Sequence, residues 1–247
     1  MKKYGTESKK TPSIGEKMQK LGSLAGFIVD FLATLLSEEE VEFWLGHKTE
    51  LKKKISEVFS IVDEYASIRE EWQKFYKSHF NLDVDFSRVI IPNRPDGDWR
   101  LIFIAKGMIM NKAFDRCKAL FKSWCYITND DLDKAIPINA RNASNNYAIW
   151  VHNGVEPDAE HLGKSTRQID SDMKIGITIL ERIILEIKYF SETGNHLDIK
   201  GVTFCSGSRF SDGNVPGADW SDDRFEVNWC DLGGSGSSYG IRSVVSL

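Results

Sequence analysis

The chain has 247 residues, which is enough for one large domain or two small ones. Hydrophobic residues make up 41% and charged residues 28%, an ordinary globular composition that excludes disordered, collagen-like and disulfide-scaffold classes. The 32 basic and 36 acidic residues leave a net charge of -4, which argues against a protein that coats nucleic acid through bulk positive charge.

The amino-terminal segment imitates a secretory signal, because lysines precede an apolar stretch from Leu21 to Leu36. Glu16 lies in the basic part, Asp30 interrupts the apolar part, and no small-residue cleavage site follows. The stretch is also shorter than the roughly 20 residues that cross a bilayer. We therefore expect neither a signal peptide nor a membrane anchor.

The four cysteines are sparse and form no CxxC pair. They are Cys117, Cys125, Cys205 and Cys230, and no zinc-ligand spacing relates them to the histidines. Few thiols without an export signal favour a reducing, cytoplasmic compartment. We expect these cysteines to be core residues, and we expect neither a metal nor a cofactor.

The first third of the chain predicts helices. Residues 1–12 are polar and are expected to be flexible. Apolar residues recur every three or four positions from Ile14 to Leu35, as in an amphipathic helix. Ser37 and Glu40 form a capping box for a second helix, which we expect to end at a left-handed Gly46.

A further apolar stripe runs from Leu51 to Phe80 and predicts either one long helix or two helices with a restart at Ser67. Residues 13–82 are therefore expected to form a helical unit. Its apolar stripes could also contact a second copy of the chain or a protein partner.

Residues 83–247 predict an α+β domain with a mixed or antiparallel sheet and two long helices. Residues 87–92 and 99–106 predict a hairpin, since Pro95 and Gly97 lie between them. The helices are expected at 110–124 and 169–193, and further strands at 147–152, 199–205, 225–230 and 239–245.

Three segments carry a family resemblance: PNRPDGDWRLIFIAKG at 92–107, KYFSETGNHLDIKGVTFCSGSRFSDGNVP at 188–216, and LSEEEVEFWLGHK near the amino terminus. They resemble signature stretches of a family of bacterial hypothetical proteins. That family has no established activity, so the resemblance implies no substrate, cofactor or catalytic residue.

One candidate anion site is the loop that follows Cys205. Ser206, Gly207, Ser208 and Arg209 could combine backbone amides, hydroxyl donors and a guanidinium around a phosphate or carboxylate. The alternative is an ordinary turn with a surface arginine. Cys205 itself could act as a nucleophile with His152 or His196 as its base, although no cysteine-protease signature is present.

A second candidate is a lysine cluster on a predicted helix after a short turn, the outline of a helix-turn-helix. Lys48, Lys52, Lys53 and Lys54 could contact nucleic-acid phosphates. Glu50 and Glu57 flank them, so a solvated face is the favoured alternative. Trp220, Trp229 and Tyr239 also lie near Gly- and Asp-rich loops and could form a carbohydrate or peptide platform.

The sequence carries no strong catalytic, nucleotide or metal motif. We therefore expect a binding or accessory protein without catalytic activity. The alternatives are a nucleic-acid-binding regulator that uses the amino-terminal helices, and an enzyme or anion-binding protein that uses the 205–209 loop.

Overall fold

The computed structural model describes residues 14–58, 63–127, 131–169 and 176–247. The flexible segment expected at 1–12 lies outside the described residues. The chain divides into two compact units, Met1–Asp63 and Glu64–Leu247. This division comes earlier than the boundary expected at residue 82, and the helix between the two positions lies in the second unit.

The first unit consists, where described, of helices α1 (Ile14–Leu35), α2 (Glu38–Gly46) and α3 (Lys48–Val58). The capping box is confirmed, since Ser37 N–H donates to Glu40 Oε2 at 2.8 Å and Glu40 N–H donates to Ser37 Oγ at 3.3 Å. The left-handed cap at Gly46 is wrong. The cap residue is His47 with φ -115°, because the chain passes almost directly into α3.

The second unit mixes helices and strands, which confirms the α+β class. Its helices are α4 (Ala66–Phe80), α5 (Met110–Leu120), α6 (Leu132–Ala135), α7 (Thr166–Ile169) and α8 (Ile179–Thr193), with a 3-10 helix at Ala159–His161. Its strands are β1 (Trp99–Ile104), β2 (Ser123–Cys125), β3 (Ile138–Asn139), β4 (Tyr147–His152), β5 (Val202–Phe204), β6 (Ser208–Arg209), β7 (Val215–Ser221), β8 (Arg224–Cys230), β9 (Tyr239–Ile241) and β10 (Val244–Val245).

Within the described residues, the strands form three sheets. The first has the order β1-β4-β10 and is antiparallel, and the second has the order β2-β8-β7-β5-β9 and is mixed. Parallel pairs join β2 to β8 and β5 to β9. β3 and β6 form a short antiparallel pair. Helices α5 and α8 pack together, and α8 contacts both β1 and β7, so it touches the two larger sheets.

Helix α8 is buried on every side over residues 179–188, as expected for a helix that contacts two sheets. A second capping box begins it, since Thr178 N–H donates to Glu181 Oε2 at 2.7 Å and Glu181 N–H donates to Thr178 Oγ1 at 3.2 Å. Gly194 ends it with φ 70°, and the end predicted at Thr193 is confirmed.

The predicted hairpin between residues 87–92 and β1 is wrong. β1 instead pairs antiparallel with β4, with Trp99 opposite His152. The carbonyls of the earlier segment accept hydrogen bonds from side chains: Arg69 Nη1 donates to Val89 O at 3.1 Å, and Trp150 Nε1 donates to Pro92 O at 3.0 Å. Proline also lacks the amide that a ladder requires, so the segment packs against the sheet without joining it.

In the described parts of the chain, we find no helix with both the length and the apolar character needed to cross a bilayer.

Candidate functional site

A concave site of about 380 Å³ lies between α4, α8 and one end of the β1–β4 pair. We call it the aromatic pocket. Its lining combines aromatic and charged side chains with few aliphatic ones: Glu64, Tyr65, Ile68, Glu71, Trp72, Arg94, Trp99, Arg100, Leu101, Trp150, Asn153, Lys188 and Glu192. The volume falls within the range of about 300–1,000 Å³ typical of small-molecule sites.

Strand register explains why the tryptophans meet. Trp99 and Leu101 of β1 lie opposite His152 and Trp150 of β4, so their side chains share one face of the sheet. Trp72 reaches this face from α4, where its Nε1 donates to Leu101 O at 3.3 Å. Trp150 Nε1 is likewise bonded to Pro92 O. Trp72 is 2% and Trp150 3% exposed, so these two rings, with both indole N–H groups bonded to the backbone, form buried apolar wall, and the partly exposed Trp99 is the indole of the three that a ligand can reach.

The opposite face of β1 contributes a charged wall. Arg100 Nη1 contacts Glu192 Oε2 at 2.5 Å, and Lys188 Nζ contacts Glu192 Oε1 at 2.8 Å. Arg100 Nε also donates to Asn153 Oδ1 at 3.1 Å. Two cations therefore share one carboxylate, and this wall keeps an excess of positive charge and of N–H donors.

The electrostatics of Glu192 agree with that geometry. Partial burial acts to raise its pKa, but the hydrogen bonds and charges of Lys188 and Arg100 outweigh burial, and the pKa of Glu192 is lowered. Lys188 is only 9% exposed, and its Nζ lies 5.4 Å from the Trp72 ring centroid. An ammonium held between an aromatic face and a carboxylate is a fixed charge at the base of the pocket.

Three exposed charges surround the opening. Arg94 lies with its guanidinium 5.5 Å from the Trp150 ring centroid, and the Tyr65 ring meets Trp150 edge to face at 5.9 Å. Glu64 and Glu71 lie on the α4 side and are exposed. Water screens charges at such positions more strongly than those on the inner wall.

The predicted anion loop is buried. Ser206 and Ser208 are fully buried and Arg209 is 7% exposed. Arg209 Nη1 donates to the carbonyls of Ser206 and Ser208 in its own loop, and Ser208 Oγ donates to Asn139 Oδ1 at 2.6 Å. These donors already have acceptors within the protein, so anion binding here stays a prediction that this conformation does not favour.

Gly207 lies where two backbone segments pack closely. A Cβ at this position would lie 2.6 Å from Gly176 O and 3.0 Å from Thr178 Cγ2. Gly207 N–H donates to Ile177 O at 3.1 Å. Glycine is required where two backbone segments approach this closely.

The predicted nucleic-acid residues lie on α3 in the first unit. Lys48, Lys53 and Lys54 are exposed, and Lys54 Nζ lies 5.6 Å from the Trp44 ring centroid. The side chain of Lys52 lies outside what the structure describes. The exposed lysines are compatible with phosphate contacts, and nucleic-acid binding by this helix stays a prediction.

Cys205 lacks the features of an activated nucleophile. It is fully buried, and burial raises the pKa of its thiol far above the ordinary value. The two histidines considered as its base have carboxylate partners, since His152 Nδ1 lies 3.0 Å from Asp158 Oδ1 and His196 Nδ1 lies 2.8 Å from Glu186 Oε1.

The three aromatic residues predicted to form a platform in the carboxy-terminal segment lie at two different places. Trp229 and Tyr239 line a second cavity of about 270 Å³, together with Asn228 and Asp231. Trp220 is elsewhere and stacks on His196, with ring centroids 3.3 Å apart and planes 7° from parallel. The tail therefore provides two of the three expected aromatic residues at one place.

A buried ionic network beside α8 has a structural role. Arg182 Nη1 contacts Glu186 Oε2 at 2.7 Å, and its Nε donates to Asp198 Oδ2 at 2.9 Å. Arg242 Nη2 contacts Asp198 Oδ1 at 2.7 Å. Two arginines balance two carboxylates, as buried charges require. The network connects α8 to the segment after it and to the last strands.

The aromatic pocket cannot be recognised from the sequence alone, because its residues come from four separate segments. Trp72 was assigned to the separate helical unit, and Trp99 to a hairpin with a different partner. The signal in the sequence that could have indicated the pocket is the aromatic and basic composition of residues 94–101. That composition identifies a site only once the β1–β4 register shows which residues lie next to it.

No protein-family model, curated protein or solved structure matches this chain. The resemblance to a family of bacterial hypothetical proteins therefore stays a prediction.

Proposed function

We propose that residues 64–247 form a ligand-binding domain whose aromatic pocket takes a small organic anion with a flat apolar ring. This is a binding role, as the sequence analysis expected, and it assigns the ligand to a site that the sequence analysis did not find. The observation that carries it is the shared carboxylate: Arg100 and Lys188 both contact Glu192.

Charge supports an anionic ligand. The lining has three basic and three acidic side chains, but their exposures differ. A pair of charges about 4 Å apart interacts by roughly 1 kcal/mol in water and roughly 4 kcal/mol near a protein surface of lower dielectric. Lys188 on the inner wall therefore counts for more than Glu64 and Glu71 at the exposed opening.

Shape and polarity support a flat ring. The partly exposed indole of Trp99 provides an apolar face, and the buried indoles of Trp72 and Trp150 add apolar wall whose N–H groups are bonded to backbone carbonyls. Aromatic rings prefer offset-stacked or edge-to-face neighbours and gain about 0.5–1.5 kcal/mol beyond area burial. A carboxylate on such a ring could accept the remaining N–H donors of Arg100.

Isothermal titration calorimetry with two probes of opposite charge tests this proposal. We expect 1-naphthoate to bind at least about tenfold more tightly than 1-naphthylmethylammonium, a difference of about 1.4 kcal/mol. Equal affinity for the two probes would show that the inner wall does not select anions. The absence of binding by both at millimolar concentration would contradict the pocket assignment.

A matched pair of variants locates the binding. Arg100→Gln removes one of the two cations on Glu192 and leaves Lys188 to balance that carboxylate, so we expect a folded protein that binds 1-naphthoate at least tenfold more weakly. Arg88→Gln is the control, because Arg88 is exposed and lines a different cavity. An equal loss in both variants would indicate a nonspecific charge effect.

Nucleic-acid binding through α3 is a separate proposal, which the exposure of Lys48, Lys53 and Lys54 supports. Fluorescence anisotropy with a random-sequence duplex at low salt tests it. Binding at micromolar protein that weakens steeply with added salt is the expected signature, and no binding at tens of micromolar protein would exclude it.

We also propose a cytoplasmic location. All four cysteines are free thiols, three of them buried, as is usual in a reducing compartment. Fractionation of the cells that express the protein would test the location directly.

A further inference from the structure

We infer that Asp158, Glu160 and His161 bind a divalent transition-metal ion. The three residues lie in the short segment that contains the 3-10 helix Ala159–His161, with Asp158 as its cap residue. One ligand atom from each residue lies within 4.8 Å of the corresponding atoms of the other two. This cluster contains two carboxylates and an imidazole, and it is separate from the aromatic pocket.

One ring nitrogen of the partly buried His161 has no hydrogen-bond partner among the described residues. This nitrogen is Nδ1, which is itself buried. A buried polar atom without a partner costs about 1–3 kcal/mol. A metal ion bound to Nδ1 would satisfy this nitrogen, since neutral imidazole is a common metal ligand through either ring nitrogen.

Asp158 is positioned as metal-binding carboxylates usually are. It is 1% exposed, its Oδ1 lies 3.0 Å from His152 Nδ1, and its Oδ2 accepts the Ser243 N–H at 2.7 Å. Each carboxylate oxygen has two lone pairs, so both keep one for a metal. Hydrogen bonds of this kind fix the orientation of a ligating group and raise metal affinity.

Glu160 can complete the site from the surface. It is exposed, so its side chain can rotate toward the other two ligands without disturbing the core. The buried Asp158 and the orphaned nitrogen of His161 would then form the fixed part of the site.

The donor set selects the class of metal. Carboxylate oxygens with one imidazole nitrogen suit Zn²⁺ and its neighbours, whereas Mg²⁺ prefers oxygen ligands alone. Three protein ligands leave the fourth tetrahedral position for water. We therefore expect Zn²⁺ to bind well in the presence of excess Mg²⁺.

Calorimetric titration of ZnCl₂ into the full-length protein, first treated with EDTA and dialysed, tests the inference. We expect one Zn²⁺ per chain with a dissociation constant of 10 µM or tighter, unchanged by 5 mM MgCl₂. Absence of Zn²⁺ binding at 100 µM would overturn the inference, and so would displacement of Zn²⁺ by Mg²⁺.

Two ligand variants and one control locate the ion. Glu160→Gln alters an exposed side chain and should leave the fold intact, and His161→Gln removes the orphaned nitrogen. Each should weaken Zn²⁺ binding at least tenfold, with the circular dichroism spectrum unchanged. His47→Gln removes an exposed histidine of the first unit and should change nothing. Zn²⁺ binding that survives both ligand variants, or that is lost only in the control, would overturn the inference.

Discussion

The hydroxyl of Tyr76 donates a hydrogen bond to the carbonyl oxygen of Phe103 at 2.8 Å and joins α4 to the carboxyl-terminal part of β1. The same hydroxyl accepts the Ala105 N–H at 3.1 Å. Tyr76 is fully buried, and burial raises the pKa of its phenol, so it stays protonated and able to donate. Helix α4 is therefore an integral part of the sheet domain.

Replacement of Tyr76 by Phe should destabilise the protein by about 1–3 kcal/mol. The substitution keeps the ring but leaves the Phe103 carbonyl and the Ala105 N–H without this partner in a buried place, and unsatisfied buried groups cost that much. Urea unfolding would measure the change. Tyr126→Phe is the control, because Tyr126 is 59% exposed. A loss below about 0.5 kcal/mol for Tyr76→Phe would contradict the stated role of the hydroxyl.

Fragments that begin on either side of α4 should behave differently. The fragment 64–247 keeps Trp72, Phe75, Tyr76 and Phe80, which are buried in the core. We expect it to unfold cooperatively and to show a near-ultraviolet circular dichroism spectrum. The fragment 83–247 lacks these side chains and should expose apolar surface and bind a hydrophobic dye. A cooperative transition in the shorter fragment would restore the boundary expected at residue 82.

His79 should make the protein less stable as the pH is lowered. Arg116 Nε donates to His79 Nδ1 at 3.3 Å, and burial together with the charges of Arg116 and Lys188 lowers the pKa of His79 to about 4. The unfolded chain titrates near 6.5, so it binds the proton more readily than the folded protein. The contribution of neutral His79 is therefore complete above pH 6.5 and declines between pH 6.5 and 4.

Carboxylates also titrate in this pH range. Comparing the pH dependence of the unfolding free energy in the parent protein and in His79→Gln separates the contribution of His79 from theirs. Between pH 7.5 and pH 4.5, the parent should lose about 1 kcal/mol more unfolding free energy than the variant, a value reduced for the partial exposure of the ring. Equal losses in the two proteins would show that His79 is not shifted.

Gly207→Ala should destabilise the protein by about 1–3 kcal/mol. The added methyl group would meet Gly176 O at 2.6 Å, and over-packing of a buried contact costs that much. Ser211→Ala, at an exposed position just beyond the same loop, is the control. If the two variants have the same melting temperature, the backbone segments at Gly207 and Gly176 can move apart to accept the methyl group.

Some local signals in the sequence predicted local structure correctly, although the left-handed cap expected at Gly46 did not form. The capping box at Ser37 and the glycine end of α8 are confirmed, because each depends on residues within one turn of a helix. The hairpin before β1 failed because its strand pairs with β4, about 50 residues later in the chain. Capping and turn chemistry do not determine such pairings.

The same contrast between local signals and long-range packing applies to the candidate sites. Arg209 and Gly207 have the residue types of an anion loop, but long-range packing buries them. The aromatic pocket forms where β1, β4, α4 and α8 meet. Its lining residues are far apart in the sequence, so no local motif indicates the site. The cluster of Asp158, Glu160 and His161 is local, yet its significance depends on the burial of Asp158 and on the unpartnered nitrogen of His161.

The aromatic pocket is tested most directly by the indole N–H signals in a ¹H–¹⁵N correlation spectrum of the full-length protein titrated with 1-naphthoate. Three of the seven tryptophans, Trp72, Trp99 and Trp150, line the pocket, and single Trp→Phe variants would assign their signals. We expect naphthalene ring currents to shift these three signals, and we expect the signals of Trp44, Trp124, Trp220 and Trp229 to stay in place. No shift at saturating probe, or shifts confined to Trp220 or Trp229, would contradict this expectation.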